Sequence, residues 1–206
     1  DGVRAAIDRG TNNGPDAGTP SIVVRAVSGD LGEPQLGMSE ETFHSVGRRL
    51  VCVVHCGSFV NHVFDYHTLR PQNSDSVVEL ARCATLAPSP PDIIYVSTIS
   101  VVDADATEET VGDEAYINRS GGYAQSKWVA EMRLRHLAAT SQSPFRTVTI
   151  VRPGLIGFDT RSGSANTTDW FVRFLVGSMQ IGGVTFHARP STINMTPVNH
   201  AAQFIA

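Results

Sequence analysis

Lysine is almost missing from this chain. Of its 16 Lys and Arg residues only Lys127 is a lysine, so arginine supplies every other fixed positive charge. Cysteine is nearly as scarce. Cys52, Cys56 and Cys83 are an odd set without framework spacing, which argues against a disulfide-stapled scaffold and for a reducing, cytoplasmic setting. No apolar run approaches the roughly 20 residues of a membrane helix. No signal peptide or initiating methionine is present, and the chain starts at Asp1 as if cut from something longer. Excess basic charge is lacking too: a net charge of −4 and a pI near 5.9 leave no nucleic-acid footprint. G-x-S-x-G is absent, which argues against a hydrolase, and so are C-x-x-C and H-E-x-x-H. What is there is globular: 206 residues, 41% hydrophobic and 17% charged, enough for one domain with a good core.

The elements alternate along the chain. VRAAIDR reads as a helix end, followed by a Gly/Asn/Pro/Asp loop to Pro20. SIVVRAV (21–27) predicts a strand, and GDLGEPQLG a turn cluster. SEETFHSVGRRL (39–50) predicts a helix with a serine cap, acidic first turn and basic end. LVCVVH (50–55) reads as a strand buried on both faces, 75–87 as a helix, and DIIYVS (92–97) as a strand. A polar loop is expected over 100–122, a helix from 123 to about 139, and a strand over 145–151. Such alternation predicts an α/β fold: a Rossmann-like, doubly wound parallel sheet. Within it, 1–20 is a helix end and loop, 21–157 a nucleotide-binding core, and 158–206 the start of a substrate-binding region.

The lone lysine stands four residues after Tyr123. On a helix that spacing puts phenol and ammonium on one face, about 5–6 Å apart at Cβ. A phenol with a pKa near 10 exchanges protons poorly at neutral pH, and an adjacent ammonium is expected to lower that value. A tyrosine so tuned is a general acid for a carbonyl under reduction. Arginine would bring charge in a planar fork less suited to a point contact on sugar hydroxyls. Upstream, Ser97 and Thr98 end a strand, at the sheet edge where ligands bind in open α/β folds. A hydroxyl there can donate to the oxygen that gains charge in hydride transfer. The bland alternatives are a half-buried tyrosine beside a solvated lysine, and a strand-end turn.

Together Thr98, Tyr123 and Lys127 resemble the active triad of extended short-chain dehydrogenases/reductases. More narrowly, the chain is similar to thioester reductase domains of nonribosomal peptide and polyketide synthases, and to the reductase portions of carboxylic acid and aminoadipate reductases. GDLGEPQLGMS resembles that family's segment in which Asp30 and Leu31 would lie against the adenine. HCGSFVNHVFDYHTLRPQN resembles its H-x-G-A-x-V-N…Y…L…N region, with Cys56, Gly57 and Ser58 beside the dinucleotide backbone. RPGLIG, with Pro153, matches the stretch near the nicotinamide. GSANTTDWFVRFLVG follows G-x-x-N-x-x-D-x-x-x-R-x-x-x-G, and TPVNHAAQ resembles T-P-V-D-Y-V-A-Q. The resemblance implies NADP(H) as cofactor, a phosphopantetheine carrier domain as partner, and neither nucleic acid nor membrane. It implies release of a carrier-bound acyl thioester as aldehyde or alcohol. Departures are visible. The Gly-rich T-G-x-T-G-x-x-G turn is not in the sequence, so the first βαβ unit is expected to be absent, and the carboxyl end stops short of the family's substrate region. Ser58 stands where the family has alanine, SDSV follows Asn73 in place of V-x-G-T, and one extra residue lies between Gly157 and Gly163.

A nucleotide-sugar epimerase or dehydratase would share the triad, and a non-catalytic reductase-like binding module would share the fold. Against zinc, Cys52 and Cys56 would fall on one strand face with Val54, so core cysteines and loop histidines (His55, His62, His67) are the expectation. Trp170, Phe171 and Phe174 read as a helix packing face. The acidic residues from Asp103 to Glu114 read as a solvated loop. Asn118, Asn166 and Asn194 match the glycosylation triplet, a pattern short enough to arise by chance.

Overall fold

The computed structural model describes residues 23–103, 106–107, 110–183 and 193–206. The helix end and loop expected before residue 20 lie outside them. At the centre stand β1 (Cys52–His55), β2 (Asp92–Val96) and β3 (Val148–Val151), parallel and in spatial order β1–β2–β3. The register runs from Cys52 opposite Asp92 to Val96 opposite Val151. A second parallel pair joins β4 (Leu155–Gly157) to β5 (Met195–Pro197). The helices are α1 (Glu40–Gly47), α2 (Tyr66–Arg70), α3 (Ser76–Ala84), α4 (Glu114–Arg119), α5 (Gly122–Ala139), α6 (Trp170–Gln180) and α7 (Val198–Ile205). The α/β reading with a parallel, incomplete sheet holds.

Local sequence explains several boundaries. Ser39 caps α1 by accepting from the Thr42 amide, as the acidic S-E-E start predicts. Asp113 caps α4 through the Ala115 and Tyr116 amides. That helix lies inside the stretch read as a polar loop, because the acidic run hid a short capped turn. Along β2 the side chains alternate: Ile93 and Tyr95 are buried, with Ser97 following them, while Ile94 and Val96 are half-buried. The inward set meets Val77, Ala81 and Ala84 of α3 and Ala130 and Leu134 of α5 in the main core. Fully buried Leu134 and Ile93 each contribute about 1.5–3 kcal/mol of burial.

Three expectations change here. Residues 23–29 form no strand, and Val23 is 74% exposed, because a β-rich run without a ladder partner gains nothing from extension. The strand at LVCVVH forms but is not buried on both faces. It is an edge among the described residues, with Val54 50% exposed beside exposed Cys52 and Cys56. Only Cys83 is a core cysteine, and His55 is a buried strand residue rather than a loop histidine. Third, α6 buries none of its residues, so Trp170 and Phe174 are exposed rather than packed as a core face.

His55 lies beside the Tyr95 ring, 5.4 Å between centroids, with Ser76 Oγ 3.5 Å from its Nε2. Burial, helped by the nearby Lys127 ammonium, lowers its pKa from 6.5 to about 4. The unfolded chain therefore takes up this proton near pH 6.5 and the folded chain only near pH 4. The resulting stability is present above the upper value and is lost as pH falls through the window. We expect His55→Gln to remove on the order of 3 kcal/mol of acid-linked destabilisation between pH 6.5 and 4, read from denaturant midpoints. An unaltered pH slope would refute the assignment.

Candidate active site

Helix α5 begins where the chain can approach another backbone closely. A Cβ on Gly122 would stand 2.4 Å from the Asp65 carbonyl carbon, so only glycine brings the helix start this near the 56–66 segment. Tyr123, Lys127 and Glu131 then follow at four-residue spacing along one stripe. The His62 ring meets the Tyr123 ring edge-on, 5.6 Å between centroids. Lys127 is 1% exposed, and its Nζ donates to the Val96 carbonyl at 2.8 Å and lies 4.2 Å from the Tyr95 ring centroid. Desolvation lowers its pKa from 10.5 to about 8, against a smaller upward pull from Glu131. Glu131 is itself buried and takes both oxygens to Arg152, at 2.9 Å from Nε and 2.6 Å from Nη2. The same guanidinium donates to the Thr110 carbonyl at 2.7 Å. One arginine thus ties α5, the end of β3 and the 110 loop together.

The strand tip is fixed by β3. The Ser97 amide donates to Val151 and the Ile99 amide to Pro153. Thr98 caps a short 3₁₀ turn, its Oγ1 accepting from the Ser100 amide and donating to Ser100 Oγ, both at 3.2 Å. Opposite, the 56–61 loop is held by Asn73, inside a single π-turn (Pro71–Asp75) that displaces this side chain inward. Its Oδ1 accepts from the Phe59 amide at 2.7 Å and from Ser58 Oγ at 3.1 Å. Its Nδ2 donates to the Phe59 carbonyl at 3.1 Å and to Ser126 Oγ at 3.0 Å. Ser126 in turn donates to the Tyr123 carbonyl at 2.8 Å.

These elements enclose a cavity of about 450 Å³. Thr98, Tyr123, Lys127, Cys56, Ser58 and Pro153 all line it. Leu31 reaches the same region from outside: a Cβ on Gly57 would stand 2.5 Å from Leu31 Cδ1. Asp30 is not in the lining; it is exposed, with Oδ1 accepting from the Gly32 amide at 2.8 Å. Sequence reasoning assigned no site role to Asp169, to Trp170, read as helix packing, or to Asn194, read as a glycosylation triplet, yet all three line the cavity; nor did it assign one to the Asn73, Glu131 and Arg152 supports. The Glu131 signal was available, one helical turn beyond Lys127; Asn73 closes the H-x-G-A-x-V-N…Y…L…N resemblance, but its clamp on the 56–61 loop depends on a π-turn. The electrostatic expectation is corrected. Burial raises the Tyr123 pKa above 10, opposed by a hydrogen bond with Ser58, and the Lys127 ammonium does not lower it because that group is turned onto Val96. Among the described residues no group of three or more His, Cys, Asp or Glu side chains could hold a metal ion, and no helix is long and apolar enough to cross a membrane.

Comparison with known proteins gives the family and agrees with the fold. The family model described as "Male sterility protein" matches residues 21–205. The L-2-aminoadipate reductase large subunit of Penicillium chrysogenum is 31% identical over 202 residues, 88% of this chain and 14% of that protein. The nonribosomal peptide synthetase atnA of Emericella nidulans is 32% identical over 86% of this chain and 3% of its own length. Among solved structures, the terminal R domain from the myxalamid PKS-NRPS biosynthetic pathway superposes with a TM-score of 0.74 at 32% identity, covering 87% of this chain and 45% of that one. The R domain of a nonribosomal peptide synthetase from Mycobacterium tuberculosis gives 0.66 at 29%, with the same coverage. The chain therefore spans less than half the length of these solved domains and a small part of the curated relatives.

Breaking a buried ion pair from one side leaves an uncompensated charge, at a cost of about 3–5 kcal/mol. Arg152→Ala is expected to lose that much stability in denaturant titration, because Glu131 is 2% exposed at its side chain and Arg152 is its salt-bridge partner among the described residues. A loss below about 1 kcal/mol, the range of surface pairs, would show that the pair is solvated.

Proposed function

The chain belongs to the Male sterility protein family, and from that premise we propose that it is part of a reductase acting on a carrier-bound acyl thioester. The observation that carries this reading is the convergence of Thr98, Tyr123 and Lys127 on one cavity at the carboxyl edge of a parallel sheet. The relatives named as reductases, and the R domains of peptide synthetases, support it.

The residues present fit the nicotinamide end of NADP(H). Cys56, Gly57 and Ser58 form a ledge on which Leu31 already excludes any side chain at Gly57. Pro153 and Gly154 form the facing wall, and Lys127 offers a buried ammonium for ribose hydroxyls. Ser97 Oγ is buried nearby without a hydrogen-bond partner. Asp30 and Leu31 are assigned to the adenine side. The pyrophosphate turn is not among these residues, and the sequence holds no Gly-rich motif that would form it.

NADPH when bound would supply the hydride for the thioester carbonyl. The protein's own share is to hold that carbonyl between two hydroxyls. Thr98 Oγ1, now donating to Ser100, turns to the oxygen as it gains charge, and Tyr123 donates to the same oxygen and then gives up its proton. The protonated product is a hemithioacetal, which collapses to an aldehyde and a free thiol; a second round gives an alcohol. Lys127 holds the ribose in register; its charge diminishes as pH rises through about 8. Residues from 158 onward bring Asp169, Trp170 and Asn194 to the cavity and are assigned to the acyl side. The partner that delivers the acyl group is a phosphopantetheine-bearing carrier domain, and the setting is cytoplasmic.

Tyr123→Phe should lower NADPH-dependent turnover of an acyl-pantetheine thioester by about 10²–10⁴-fold while leaving NADPH binding, followed by fluorescence, largely intact. Unchanged turnover would end this assignment. Cofactor placement has a separate readout. Cys52 and Cys56 are both exposed, yet only Cys56 lines the cavity. NADPH is expected to slow alkylation of Cys56 and leave Cys52 unaffected, as quantified by peptide mass spectrometry. Equal rates with and without NADPH would place the cofactor elsewhere.

A further inference from the structure

We propose that Asp169 is a specificity residue that selects acyl groups ending in a protonated amine, which its carboxylate binds inside the cavity beside Trp170. The inference rests on the reductase reading, in which the cavity takes the acyl chain of a thioester, and deepens it by naming the class of chain.

The backbone of Asp169 is fixed from both sides. Its amide donates to the Asn166 carbonyl at 3.1 Å, and its carbonyl accepts from the Arg173 amide at 3.0 Å. The half-buried side chain caps α6, with Oδ1 accepting from the Phe171 amide at 2.8 Å. Oδ2 makes no hydrogen bond among the described residues, and none of the ion pairs among them includes Asp169. Capping needs only an acceptor, which asparagine or serine supplies equally well, so the charge is surplus to the helix. A helix N-terminus carries roughly half a positive charge and offsets only part of a carboxylate. The remainder acts on whatever enters the cavity that Asp169 lines.

The opposite charge in that lining is already taken up. Asp169 and Lys127 are its only Asp, Glu, Lys or Arg residues, and the Lys127 ammonium is held by the Val96 carbonyl. A chain ending in a carboxylate would be repelled by Asp169 and find no unengaged lysine or arginine in the lining. An ammonium would find an acceptor oxygen that has no other donor. Next to it Trp170, 51% exposed, lines the same cavity, and the face of an indole attracts cations. Ile99, Leu155 and Ile156 add apolar lining for a run of methylenes. Asn194, also in the lining, is braced by its carbonyl, which accepts from the Leu155 amide at 2.9 Å.

Asp169→Asn removes the charge and keeps the cap, so it separates specificity from folding. The probes are pantetheine thioesters in three series of matched length: ω-aminoacyl chains, neutral alkanoyl chains and dicarboxylic monoacyl chains. Binding is measured by calorimetry without NADPH, so no reduction is needed. At the best-fitting length the chain should bind the aminoacyl thioester about tenfold more tightly than the neutral one, and the carboxylate more weakly still. Asp169→Asn should bring the three within about twofold of one another. Sodium chloride at about 1 M, where the screening length is about 3 Å, should shrink the same preference without any substitution. No amine preference at any length, a preference that survives in Asp169→Asn, or one indifferent to salt overturns the proposal. A preference lost in Asp169→Asn stands even where NADPH brings about no reduction, and then the reductase reading alone fails. Equal binding and equal reduction of all three series would keep that reading and end this one.

Discussion

The arrangement depends on one buried ammonium held on a backbone carbonyl. Removing Lys127 from water costs several kcal/mol, and only compensation at close range keeps it charged. The Val96 carbonyl, the face of Tyr95 and the Glu131 carboxylate one turn away supply it. Because Val96 is the last residue of β2, the same contact docks helix α5 against the strand tip where Thr98 stands. A guanidinium would need a wider set of acceptors than one carbonyl offers. That is a physical reason for the chain's single lysine to sit here.

Around that anchor three supports hold the cavity walls independently. Gly122 admits the helix start against Asp65, Asn73 clamps the 56–61 loop to the turn carrying Ser126, and Arg152 binds Glu131 to the 110 loop. Each joins segments far apart in the chain, so the hydroxyls meet with little freedom left to lose on binding. Preorganisation of this kind matters more for oxyanion stabilisation than the number of donors. The anchor also has a cost. A lysine held near pKa 8 and a histidine held near pKa 4 both lie below their unfolded values, so stability around the cavity falls as pH drops from 10.5 to about 8 and again from 6.5 to about 4.

Much of the fold was legible because period and capping are local. The alternation in DIIYVS, the helical stripe of Tyr123 and Lys127, and the serine cap at Ser39 each follow from neighbours in sequence. What failed depended on partners. SIVVRAV has strand composition, yet its described residues pair with nothing; LVCVVH forms a strand, yet only one side of it meets helices. Trp170 and Phe174 have helical spacing, yet the helix they belong to buries no residue. Period states which residues share a face, not whether anything covers it.

Sequence by itself determined the parallel α/β plan, the hydroxyl–phenol–amine set and the family to which the chain belongs, since each is carried by residue type at short spacing. Tertiary structure alone decided where charge goes. The ammonium faces a carbonyl, burial raises the pKa of the phenol, and an arginine just after β3 neutralises the buried glutamate. Electrostatic pairing falls off over a few ångströms, and those distances exist only once distant segments have packed.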